Sequence, residues 1–80
     1  MPMSAQISIY PLRQDHLSPA VEAVRRALEA HGLQPEVGPM STLVTGAVED
    51  VFTALQDAFS QAATTGHVVM TVTVSNACPI

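Results

Sequence analysis

The chain has no lysine, no tryptophan and a single cysteine, and only 12% of its residues carry charge. Each shortage removes a class of function. Three arginines (Arg13, Arg25 and Arg26) stand against seven acidic residues, giving a net charge of −4. No basic stripe is available to displace counterions from a phosphate backbone. The aromatic residues are Tyr10, Phe52 and Phe59, too few for a base-stacking platform. Nucleic acid is therefore not an expected partner, whereas an acidic chain tolerates a cationic small molecule. The lone Cys78 cannot form an internal disulfide or a cysteine-rich zinc site. The opening "MPMSAQIS" lacks a basic segment followed by an apolar core, so no signal peptide is expected. The longest apolar-leaning run, Val68 to Val74, is too short for a bilayer. The expected location is the cytoplasm, with no membrane partner.

What is present describes one globular domain spanning 1–80. Of the 80 residues, 48% are hydrophobic, enough to drive folding at the small end of what one core supports. With so few charges, part of the exterior must be apolar or hydroxyl-bearing, which invites self-association. "SAQISIYPL" alternates with period two, as a strand with one buried face does, and Pro11 is expected to end it. "LSPAVEAVRRALEAHG" reads as a helix with Ser18 as N-cap, Pro19 at the first position and Gly32 as the left-handed stop. Its apolar stripe is Val21, Val24 and Leu28 with Ala20 and Ala27. "QPEVGP" is a short strand whose prolines place it at a sheet edge. A turn over 38–41 leads into the return strand "STLVTG". "VEDVFTALQDAFSQAATTG" reads as a second helix, its stripe Val48, Val51, Phe52, Leu55, Phe59 and Ala62. "HVVMTVTVSNACP" alternates again.

The order βαββαβ with short connections implies an α+β, ferredoxin-like sandwich: a four-stranded antiparallel sheet with two helices on one face. The first and third strands are then central, the second and fourth edges. The fourth carries neither charge nor proline, the profile of an edge open to another chain. The sheet face away from the helices is expected to gather Gln6, Ser8, Tyr10, Thr71, Thr73 and Ser75 together with hairpin hydroxyls.

Enzyme constellations are weak. His16, His31 and His67 have no metal-like spacing and are read as structural, so no metal site is expected. Cys78 lacks a partner that would make it a nucleophile. The four glycines fall in four different turns rather than one phosphate loop. Glu49 and Asp50 are adjacent on a helix and point apart; they match the dipole at its start, or one of them faces a cationic ligand. The hairpin "VGPMSTLVTG" remains. Ser41, Thr42 and Thr45, with Ser75 and Asn76, offer uncharged donors and acceptors suited to a neutral heterocycle, and Met40 and Tyr10 offer apolar walls. Strands also favour Thr and Ser at half-buried sites for packing reasons alone.

"SAQISIYPL", "EVGPMSTLVTG" followed by "VEDVF", and "VTVSNACP", in this order and spacing, resemble the YkoF-related, thiamine-binding protein family over essentially the whole chain. The resemblance implies a ferredoxin-like fold and a non-catalytic binder of thiamine or its hydroxymethylpyrimidine moiety, acting as carrier, buffer or sensor. It also implies assembly in pairs or larger oligomers, here a homodimer or homotetramer, because the chain carries one copy of a domain that occurs twice in the family's named member. Carried over by position, Met40, Ser41, Thr42, Ser75 and Asn76 line the pocket and Tyr10 closes it, while Glu49, Asp50 or Glu36 attracts the thiazolium. No cofactor beyond that ligand is expected. Two other readings compete: a structural or regulatory oligomeric assembly domain, and a small dimeric ferredoxin-like enzyme. For the enzyme only Tyr10 offers a reactive group.

Overall fold

Alternating apolar and polar residues divide the first strand between two faces, and its neighbours follow the same division. The computed structural model describes residues 1–13 and 16–77. Its elements are β1 (Pro2–Pro11), α1 (Ser18–Ala30), β2 (Glu36–Val37), β3 (Thr42–Ala47), α2 (Val48–Ala63) and β4 (Val68–Ser75). They form one antiparallel sheet in the order β2-β3-β1-β4, the expected ferredoxin-like α+β arrangement with β1 and β3 central. Ala5 lies opposite Val44 and Val74, and Ile7 opposite Thr42 and Val72. These rows face the helices. Ser4, Gln6, Ser8 and Tyr10 face the other way, beside Thr45 and Leu43 of β3 and Ser75, Thr73, Thr71 and Val69 of β4.

The core joins Met3, Ala5, Ile7 and Val44 of the sheet to Val24, Ala27 and Leu28 of α1 and to Val51, Ala54, Leu55, Ala58 and Ala62 of α2. Ile7, Leu28, Val24 and Val51 are its largest fully buried side chains, each stabilising the fold by about 1.5–3 kcal/mol relative to exposure. Gly46 faces this core, and a Cβ there would stand 2.8 Å from Leu33 Cδ2. Gly32 holds φ +79° after α1, the left-handed stop its position predicts. No helix among the described residues is long and apolar enough to cross a membrane.

Three expectations need correction. Ser18 is not the N-cap of α1. The Val21 N–H donates to the Leu17 carbonyl at 3.1 Å, so the helix begins one residue earlier and Leu17, which has no capping side chain, occupies that position. Phe52 and Phe59 are not core residues; they are 51% and 44% exposed. The buried stripe of α2 is turned toward Ala54 and Ala58, whose small side chains let α1 approach. Finally, Thr42 points to the helix side of the sheet, since it pairs with Ile7 and is buried. It does not share the outer face with Ser8 and Thr71.

Candidate functional site

β1 outlasts β3. The last β1–β3 pair is Ile7 with Thr42, whereas β1 keeps its partner in β4 as far as Pro11. The hairpin over 38–41 occupies the space left beside Ser8 and Tyr10. Its turn closes through the Gly38 N–H, which donates to the Ser41 carbonyl at 2.8 Å. Two side chains of the outer sheet face tie it down. Ser8 Oγ donates to the Met40 carbonyl at 3.3 Å, and Gln6 Nε2 donates to Ser41 Oγ at 3.3 Å. On the helix side, Leu17 and Val21 of the α1 start stand opposite. The walls enclose a cavity of about 210 Å³ lined by Ile7, Ile9, Tyr10, Leu17, Val21, Val37 and residues 38–42. No charged side chain among the described residues lines it.

The chemistry of the cavity is apolar surface with a few neutral polar groups. Thr42 is 7% exposed, and its hydroxyl makes no hydrogen bond among the described residues. No fully buried side-chain polar atom among those residues lacks a partner, so the Thr42 oxygen opens onto accessible space. Ser41 Oγ accepts from Gln6 and keeps its own proton to donate. Tyr10 adds a phenol at the rim, half exposed. Such a lining suits the faces of a flat ring and hydrogen bonds along one of its edges. Drug-sized ligands occupy roughly 300–1,000 Å³, so this cavity holds one ring and not two.

It continues outward. A second space of about 390 Å³ shares Leu17, Val21, Gly38 and Pro39 with the first and adds Ser18 and Glu22. The Glu22 carboxylate accepts from Arg25 Nε at 2.6 Å and from Arg25 Nη2 at 2.8 Å, while Arg25 Nη1 donates to Glu29 at 2.7 Å. The hydrogen bonds from Arg25 hold the Glu22 carboxyl below the usual carboxylate range, and the same contacts raise the Arg25 guanidinium above its ordinary value. Glu22 lies off the apolar stripe of α1. Its spacing of four from Ser18 puts both on one flank of α1, but only the placement of the hairpin turns that flank into a cavity wall.

The expected site residues fall into two groups. Tyr10, Met40, Ser41 and Thr42 meet at the cavity. Glu49, Asp50, Ser75 and Asn76 lie at the other end of the sheet. Ser75 pairs with Ser4, and the Val48 N–H donates to the Met1 carbonyl at 3.0 Å, which fixes the acidic start of α2 beside the start of β1. From Ser4 to Tyr10 is about 20 Å of extended chain. The Ser75 hydroxyl is engaged locally, accepting from the Ala77 N–H at 2.9 Å. Glu36 pairs with Leu43 on the outer sheet face. Cys78 lies outside the described residues.

The sequence profile of the YKOF-related Family matches residues 3–80. The chain belongs to that family. Solved structures share its fold. A hypothetical protein of Methanocaldococcus jannascii superposes with a TM-score of 0.85 at 21% identity, covering 99% of this chain and 84% of that one. A Streptococcus pneumoniae protein gives 0.84 at 21%, covering 94% and 86%. A candidate thiamine biosynthesis/salvage protein of Thermotoga maritima gives 0.82 at 18%, covering 94% and 83%. At these identities the likeness shows the fold alone. No curated protein matches the chain.

In this YKOF-related chain another groove, about 420 Å³ between the helices, has Arg26, Asp57, Gln61, Thr64 and Thr65 among its walls. It is larger than the hairpin cavity, but several of its polar groups are engaged within the protein. Thr64 and Thr65 donate to the carbonyls of Gln61 and Ala62 at 2.6 and 2.7 Å, and Asp57 meets His31 Nε2 at 3.1 Å. In the hairpin cavity, by contrast, the Thr42 hydroxyl stays available, which makes it the candidate site. Among the described residues no cluster of His, Cys, Asp or Glu could hold a metal ion.

Proposed function

We propose that the chain is a cytoplasmic, non-catalytic binding protein for thiamine or its hydroxymethylpyrimidine moiety, working as a carrier, buffer or sensor. The observation that carries this reading is the uncharged, ring-sized cavity under the hairpin, with the Thr42 hydroxyl opening into it. An aminopyrimidine presents donor and acceptor atoms along one edge and two apolar faces, which match the Thr42 and Ser41 hydroxyls and the walls of Ile7, Ile9, Val21 and Val37. Membership of the YKOF-related Family and the thiamine-related description of the Thermotoga maritima neighbour support the same ligand class. In this reading the ligand is bound without turnover. Titration of isotope-labelled protein with hydroxymethylpyrimidine tests the reading. Amide shifts centred on Ile7, Val21 and Thr42 are expected. Shifts centred on Glu49 and Ser75 instead, or none at all, would overturn it.

The same chain acts as a homo-oligomer in this reading, and β4 favours it. β4 is open along one side for all eight of its residues, without charge or proline. The opposite edge, β2, is two residues long and flanked by Pro35 and Pro39. Prolines and short length protect an edge, and a long uncharged strand does not. A second copy can pair with it antiparallel about a two-fold axis, so that the same residues serve both sides.

A further inference from the structure

We propose that Glu22 selects a cationic substituent on the ring held under the hairpin, so that the ligand's charged half lies in the outer space beside α1. The inference rests on reading the inner cavity as an aminopyrimidine site. That cavity takes one ring. A ligand with a second half must send it into the adjoining space, whose walls are Leu17, Ser18, Val21, Glu22, Gly38 and Pro39. Among the described residues, Glu22 is the one charged side chain in the walls of either space.

Arg25, the cation one turn after Glu22, is already engaged by carboxylates. All three hydrogen bonds given for Arg25 go to Glu22 and Glu29. Both of its partners lie on its own helix, so the set of three side chains carries one net negative charge. Arg26 lines the groove between the helices instead. Arg25 follows Glu22 by one turn, whereas the outer space opens toward Ser18, one turn before it. A cation in that space meets a carboxylate whose two oxygens each accept one hydrogen bond from Arg25 and keep further lone pairs to offer. The uncapped first turn of α1 adds a partial positive charge of about one half, and Glu22 opposes it with a full negative one. A thiazolium suits this surface. A phosphate or diphosphate in the same position faces Glu22, and the guanidinium next to that carboxylate, Arg25, is already engaged by Glu22 and Glu29.

Calorimetric titration of the full chain with hydroxymethylpyrimidine, thiamine and thiamine monophosphate, in wild type, Glu22→Gln and Arg25→Gln, tests the assignment. Thiamine is expected to bind wild type more tightly than the bare pyrimidine. Glu22→Gln should cut that advantage about three- to fivefold, the size of an exposed charge pair, and bring the monophosphate closer to thiamine. Arg25→Gln releases the carboxylate and should widen the advantage. An advantage unaltered in Glu22→Gln, or absent in wild type while the pyrimidine binds, overturns the role of Glu22 alone. Failure of the bare pyrimidine to bind wild type overturns the cavity reading beneath it.

Discussion

Thr42 is the residue on which the site turns. Its pairing with Ile7 faces it toward the helices, yet its hydroxyl has no protein partner among the described residues. That hydroxyl opens into the cavity, where a ligand edge can bond it, and a typical hydrogen bond contributes about 1 kcal/mol net. Thr42→Val keeps the shape and removes the bond. Ligand affinity should fall about fivefold, the equivalent of about 1 kcal/mol, while the urea midpoint of unfolding stays near wild type. Calorimetry and denaturation checked together would contradict this if affinity held. Asn76→Ala, at the far end of the sheet, is the contrasting variant and should leave affinity as it was. Glu22 carries a separate, pH-dependent consequence. Its folded pKa is lowered by Arg25, so the pair's small contribution to stability is present above the ordinary carboxylate value and is lost as pH falls through the lowered one. The acid limb of the stability curve should be shallower in Glu22→Gln. A limb of identical slope would show that the ion pair does not contribute in solution.

At the scale of elements, α2 shows how periodicity can be read one notch wrong. Val51, Leu55 and Ala62 signal the right face, but Phe52 and Phe59 draw the apparent stripe away from the smaller Ala54 and Ala58. Burial is decided by what packs opposite, and close approach of α1 needs alanine rather than phenylalanine. The helix itself, its span and its acidic start were legible; its rotation was not. The α1 start differed for a similar reason, because a backbone hydrogen bond to Leu17 overrode the side-chain preference of Ser18. Both corrections can be tested by stability. Ala58→Leu should overpack the helix interface and cost about 1–3 kcal/mol. Phe52→Ala should cost well under the 3–5 kcal/mol typical of a buried phenylalanine. Chemical denaturation measures both, and the reverse ranking would restore Phe52 to the core.

For the whole molecule, strand order followed from element order and proline placement, since βαββαβ with short links leaves few topologies and Pro35 and Pro39 mark an edge. The candidate site was half legible. The hairpin segment 40–42 and Tyr10 meet because β1 runs beyond β3, a length mismatch visible once strands are aligned. Ser75, Asn76, Glu49 and Asp50 share the required chemistry, but the antiparallel register carries them to the other end of β1. Distance of that kind is set by pairing and not by residue type. The two unlike edges bear on assembly. Thr71 and Thr73 are exposed on β4, so lysine at both should leave the fold intact while blocking strand pairing. If the wild type assembles as proposed, light scattering should then report a dimer or tetramer for it and a monomer for the variant; an unchanged mass would remove β4 from the interface.

The most direct test of the central claim is calorimetric titration of the wild-type protein with thiamine and with oxythiamine, which lacks the ring amino group. The hydroxyl-lined cavity predicts micromolar or tighter binding of thiamine and clearly weaker binding of oxythiamine, because replacing the amino group leaves a ligand–protein hydrogen bond unmade. Equal affinity for the two, or no heat from either with the protein folded, would contradict it.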